Sequence, residues 1–228
     1  MTTARARPLR LHVAAADLDV AALLLEPAGA AAMFVMAHGA GADMHHAFMD
    51  GMARGFAAHG VATLRFQFPY AERGSRSVDR PPAAHAAVRA AVDQARELAG
   101  GLPLFAGGKS FGARMTSQAQ AKQALPGVRG LVFLGFPLHP AGTASTERGD
   151  HLAKVALPML FVQGTRDALA RFDLIEACVA ALGPRAELHA IEGADHGFTR
   201  LKNVEGATPD AKLATIAATA AAWMRGRA

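Results

Sequence analysis

The sequence predicts an α/β fold, a mostly parallel central sheet of about eight strands with helices on both faces. Three observations point there. Short apolar runs alternate with longer stretches of helix-favouring residues along the whole of the 228-residue chain. The later apolar runs, such as Leu131-Val132-Phe133-Leu134 and Met159-Leu160-Phe161-Val162, are continuous, as strands buried on both faces should be. A hydrophobic content of 51% against 19% charged residues is far from the composition of a disordered chain, and the length suits one large α/β domain. No linker, repeat or second domain is visible, so the expectation is a single domain over residues 1–228.

In order, the apolar runs predict strands over Leu9 to Ala14, Val20 to Leu25, Met33 to Ala37, Val61 to Phe66, Leu104 to Ala106, Gly130 to Leu134, Met159 to Gln163 and Glu187 to Ile191. Helical composition occupies Phe48 to Ala58, Ala83 to Ala99, Phe111 to Lys122, Leu169 to Leu182 and Pro209 to Arg225. Several of these stretches end near a glycine, as at Gly60, Gly100 and Gly183, where a left-handed residue closes a helix at little cost. The connection from Pro69 to Pro82 is rich in Gly, Ser, Arg and Pro and reads as a surface loop.

Several function classes are disfavoured. The net charge of +5 and pI of about 10.0 raise the question of an anionic partner, but the Lys and Arg residues are scattered and form no stripe with aromatics, so no nucleic acid is expected. The apolar stretch Val20 to Ala37 is interrupted by Glu26, Pro27 and Gly29, so neither half spans a bilayer and no membrane attachment is expected. Cys178 is the only cysteine, which excludes an internal disulfide and agrees with a cytoplasmic protein.

The most informative segment is Leu104-Phe105-Ala106-Gly107-Gly108-Lys109-Ser110-Phe111-Gly112, an apolar strand entering a helix through Gly-x-Ser-x-Gly. In a nucleophile elbow the serine takes a strained turn at the strand's end, and small residues such as Gly108 and Gly112 let strand and helix approach. A phosphate-binding loop also ends in Gly-Lys-Ser, but it needs a glycine where Pro103 stands. A serine hydroxyl becomes nucleophilic when an imidazole takes its proton and a carboxylate fixes the imidazole's tautomer. Asp167 follows the strand Met159 to Gln163, and His196 lies in the loop after the last strand, so the chain order is Ser, Asp, His. The adjacent Asp195 is the weaker candidate for the acid, because neighbouring loop residues diverge.

An oxyanion formed by attack needs two donors. The amide of Phe111 is one, and the loop His38-Gly39-Ala40-Gly41 offers the second from Ala40, or failing that from Gly41, with His38 supporting the loop. Loops at the strand ends should shape the pocket through Met44, His45, Phe48, Tyr70, Leu138, His139 and Phe198, a mostly apolar set suited to a small or medium acyl group. Asp43, His45 and His46 lie close together but match no zinc-ligand spacing, so no metal is expected. No cofactor is required by this chemistry.

With these residues in place the chain resembles the α/β-hydrolase superfamily, and within it a small KANSL/Tex-type branch related to dienelactone hydrolases. The resemblance rests on His38-Gly-Ala-Gly41, Arg65-Phe-Gln-Phe-Pro-Tyr70, Gly107-Gly-Lys-Ser-Phe-Gly-Ala-Arg114, Phe136-Pro-Leu-His-Pro140, Gly164-Thr-Arg-Asp167 and Asp195-His-Gly-Phe198. It implies the α/β-hydrolase fold, an eight-stranded sheet and a serine hydrolase site. Position 110 is serine where a dienelactone hydrolase has cysteine, so dienelactone specificity is not expected. The short interval between Leu134 and Pro158 leaves no room for a cap domain. The expected reaction is hydrolysis of an ester or related acyl bond in a small molecule. Transfer of the acyl group to another acceptor and a non-catalytic protein-binding scaffold are the two alternatives.

Overall fold

The computed structural model describes residues 5–198 and 209–228. Eight strands form one sheet: β1 (Arg7–Val13), β2 (Leu18–Leu25), β3 (Ala32–Ala37), β4 (Val61–Phe66), β5 (Leu104–Lys109), β6 (Val128–Leu134), β7 (Met159–Gly164) and β8 (Ala186–Ile191). Their order across the sheet is β1-β2-β4-β3-β5-β6-β7-β8. The β1–β2 and β2–β4 pairings are antiparallel and every other pairing is parallel. This is the α/β-hydrolase arrangement, and no cap domain is inserted between β6 and β7.

The helices are α1 (Ala47–Ala58), α2 (Pro69–Glu72), α3 (Pro81–Leu98), α4 (Phe111–Lys122), α5 (Phe172–Leu182) and α6 (Pro209–Arg225), with a 3₁₀ helix over Glu147–Lys154. They divide the apolar residues into two cores. One face of the sheet packs Met33, Val35, Leu131, Phe133 and Phe161 with residues of α3, α4 and α5. The other packs Phe34, Met36, Phe105, Val132 and Leu160 with α1 and α6. Residues alternate between the two cores along β3, which is why a strand buried on both faces reads as an unbroken apolar run. On the second face α1 and α6 approach closely, because a Cβ at Gly55 would come within 2.6 Å of the Ala217 Cβ.

The chain after β3 leads to α1 on one face, whereas β5 leads directly into α4 on the other. Because β3 and β5 are neighbours, a crevice opens beyond their carboxyl ends, the position where open α/β sheets bind ligands. Two glycines make the close approach possible. A Cβ at Gly108 would lie 2.1 Å from the Ala37 carbonyl oxygen, and one at Gly112 2.5 Å from the same atom.

Two sequence expectations need correction. The strand expected to stop at Ala106 runs to Lys109, because Gly107 and Gly108 fit between β3 and β6 where larger residues would not. The expected loop from Pro69 to Pro82 begins with the short α2 and ends in the first turn of α3. Asp79 organises it by accepting from the Tyr70 amide at 2.9 Å and pairing with Arg73.

Candidate active site

Ser110 joins β5 to α4 at φ 52°, ψ −112°, a left-handed backbone that a non-glycine residue adopts only under constraint. Its amide donates to the Leu134 carbonyl of the neighbouring strand at 3.3 Å. Phe111 is the first residue of α4, so its N–H is one of those the helix geometry leaves without an intrahelical acceptor. The positive end of the helix dipole adds to the attraction of negative charge there.

His196 stands between the serine and the acid. Its Nε2 is 2.8 Å from Ser110 Oγ and its Nδ1 is 2.7 Å from Asp167 Oδ2. Asp167 is only 5% exposed and its carboxylate is well supplied with donors. Gln163 Nε2 donates to Oδ2 at 2.6 Å and the Leu169 amide donates to Oδ1 at 2.7 Å. A carboxylate accepting the imidazole N–H at Nδ1 orients Nε2 towards the serine. The Leu169 bond is the capping use of Asp167, so the residue serves its own turn and the histidine together. The loops carrying the two side chains are stitched through Arg166 N to Ala194 O at 2.9 Å and Gly193 N to Thr165 Oγ1 at 2.8 Å.

The loop after β3 is anchored from below. His38 is fully buried, with Nε2 accepting from the Phe68 amide at 3.1 Å and Nδ1 2.9 Å from the Gly39 carbonyl. Since a carbonyl only accepts, Nδ1 carries the proton. Burial lowers the His38 pKa and keeps the ring in this neutral form. Tyr70 donates its hydroxyl to the same carbonyl at 3.2 Å, and burial raises the phenol to about 12. Thus two side chains fix the peptide preceding Ala40, which lines the cavity above Ser110.

That cavity has a volume of about 470 Å³ and is bordered by Ala40, His46, Phe48, Met49, Lys109, Ser110, His196, Phe198 and Leu213, among others. Phe48 and Phe198 stack at 6.0 Å across one wall. Five residues expected in the pocket lie elsewhere. Met44 is buried beneath the loop, its amide bonded to Gln67 and its carbonyl to Arg65, so the alternate residues of one extended segment hold both its backbone groups. Tyr70 turns its hydroxyl inward to Gly39, and with His45 it borders an adjoining surface cleft that shares Gly41, Ala42 and His46 with the cavity. Leu138 is fully buried, and His139 ties two loops by accepting from the Arg171 amide at 2.8 Å. Proximity to a strand end in sequence does not set which way a side chain points.

Sequence reasoning missed Lys109, Gln163 and Leu213, whereas His46 lies in the stretch Met44 to Phe48 expected to shape the pocket. His46 caps α1 by accepting from the Phe48 amide at 3.2 Å, and Asp43 accepts from the His45 amide at 2.8 Å. Lys109 and Gln163 lie inside the motif strands already singled out, so their positions were available as a signal. Leu213 arrives from α6 and has no local one.

Residues 30–225 match the sequence profile of a family described as an alpha/beta hydrolase domain. Among solved structures, a dienelactone hydrolase from Anabaena variabilis superposes with a TM-score of 0.75 at 20% identity, over 99% of each chain. An α/β serine hydrolase without a lid from Xanthomonas campestris gives 0.72 at 20% identity, over 98% of this chain and 94% of that one. Est1E from Butyrivibrio proteoclasticus, with ferulic acid bound, gives 0.76 at 15% identity, over 96% of this chain and 98% of that one. At these identities the likeness speaks for the fold.

Proposed function

The chain belongs to the α/β-hydrolase family, and we propose that it is a serine hydrolase cleaving an ester or related acyl bond of a small molecule. The observation that carries the reading is the continuous run from Ser110 Oγ through His196 to Asp167, opening into a cavity. Ser110 attacks the acyl carbon while His196 takes its proton, and Asp167 stabilises the imidazolium that forms. The amides of Ala40 and Phe111 hold the oxyanion, and Gly108 and Gly112 keep the elbow tight enough to aim them. His196 then protonates the leaving alcohol, and water, activated by the same imidazole, releases the acid from Ser110.

An apolar wall of Phe48, Met49, Phe198 and Leu213 suits an acyl group of small or medium size. The reading extends to one domain over residues 1–228, a cytoplasmic location and the KANSL/Tex-type branch. It invokes no nucleic acid, metal or organic cofactor.

The test is mass spectrometry of the purified protein after exposure to a fluorophosphonate. One adduct on Ser110, lost in Ser110→Ala and in His196→Ala, is expected. A folded wild type that takes no label overturns the reading and favours a binding scaffold.

A further inference from the structure

Lys109 immediately precedes the nucleophile, yet its side chain is spent on the histidine. Its Nζ donates to the main-chain carbonyl of His196. The ammonium also lies 5.1 Å from the ring centre of Phe198 and 5.7 Å from that of Phe48, so it touches both the histidine loop and the α1 wall of the cavity. Space for it comes from Gly135 at the end of β6, where a Cβ would stand 2.8 Å from Nζ and 3.6 Å from His196 Nδ1. An apolar side chain would fill this niche between two phenyl rings without the cost of desolvating a charge.

We propose that Lys109 is a positioning residue for the reaction: by holding the His196 carbonyl, its ammonium fixes the imidazole between Ser110 and Asp167. This rests on the hydrolase reading above. A charged donor holds a carbonyl more strongly than a neutral one, so the arrangement depends on the proton. Desolvation lowers the Lys109 amine to about 8, opposed by the charges of Asp167 after β7 and Asp195 after β8. Other polar neighbours are His196 itself and Ser110, with His46 across the cavity, while Phe48 and Gly135 bring no charge. Turnover therefore declines as pH rises through about 8. The sign for stability is opposite. Below that pH the cation is present in both folded and unfolded chains, and its desolvation counts fully against folding; the penalty disappears as pH rises towards the unfolded value of 10.5.

The opposed signs separate positioning from packing. Fluorophosphonate labelling rate, kcat for a p-nitrophenyl ester and Tm are measured across pH for wild type, Lys109→Met and Lys109→Gln. In Lys109→Met, labelling and kcat are expected to fall about tenfold or more at pH 7, with Tm equal to or above that of wild type. Lys109→Gln, which retains a neutral donor, recovers part of the rate, and both variants lose the decline near pH 8. Labelling of Lys109→Met within twofold of wild type overturns the proposal, as does a rate loss that simply follows a lower Tm or an alkaline decline that persists in both variants. Absence of label on wild type instead overturns the hydrolase reading and takes this one with it.

Discussion

Among the described residues two serine–histidine contacts have almost equal length, and only one has the surroundings of the proposed triad. Ser110 Oγ is 2.8 Å from His196, and Ser117 Oγ is 2.7 Å from His151, about two helical turns further along α4. Behind His196 stands Asp167, a buried carboxylate, whereas His151 has the guanidinium of Arg114 and a second imidazole, His85, beside it. Burial first, then Arg114 and His85, push His151 down to about 4, with Asp150 and a backbone bond to Arg148 opposing. A base that weak does not hold a serine's proton at neutral pH. Ser117 is also fully buried inside a regular helix, and its hydroxyl has a second partner in the Arg114 carbonyl at 3.0 Å. Ser110 instead occupies a left-handed turn that opens on the cavity. A short Ser–His distance is therefore a packing fact until a carboxylate, an accessible hydroxyl and a strained backbone accompany it.

The comparison breaks most sharply at the serines. Ser110→Ala should abolish labelling and lower kcat by about 10⁴-fold or more, as removal of a nucleophile does elsewhere. Ser117→Ala should leave kcat within about twofold, since its hydroxyl reaches no substrate. Equal losses in the two variants would erase the distinction. Next in size is Asp167→Asn. The amide keeps the shape but no longer stabilises the imidazolium or enforces the Nδ1–H tautomer, so a fall in kcat on the order of 10³-fold or more is expected, with KM little changed. An activity within tenfold of wild type would mean that Asp195 or another group serves as the acid.

How much of this was legible in the sequence varies with how local the cause is. The elbow was, because a glycine on either side of a serine between an apolar strand and a helix is a local pattern with a local steric reason, and the structure shows that reason in the contacts of Gly108 and Gly112 with Ala37. The order Ser110, Asp167, His196 was legible because a parallel sheet brings successive strand ends to one edge, and these three meet there. What escaped depended on contacts between distant segments. Gly107 reads as a breaker, yet it lies in β5 because β6 passes too close for a side chain. The stretch after Pro69 reads as a loop, yet Asp79 reaches back to the Tyr70 amide and helps organise its α2 turn. Leu138 and His139 read as pocket residues because they follow a strand, yet their side chains face the core and the neighbouring loop. Leu213 shows the same limit from the other side, since only the packing of α6 on α1 brings it to the cavity.

The Ser117–His151 pair makes a prediction of its own, about stability. The folded pKa of His151 lies near 4 against 6.5 for a free imidazole, so the stability tied to its neutral form is fully present above pH 6.5 and is lost as pH falls from there towards 4. Because the side chain is only partly buried, the loss should be on the order of 1–2 kcal/mol, below what the full shift would imply. Urea unfolding at pH 6.5 and 4.5 measures it, and His151→Gln should flatten the difference by about that amount; an unchanged difference would assign the acid sensitivity to the carboxylates. The smallest effect belongs to Ser117→Ala. It leaves the half-buried imidazole nitrogen without its Ser117 partner and should cost about 1 kcal/mol at pH 7. If the cost is instead on the order of 3 kcal/mol, the pair anchors the 3₁₀ helix Glu147–Lys154 to α4 more strongly than one neutral hydrogen bond can, and the contrast with Ser110 becomes one between a reactive serine and a structural clasp.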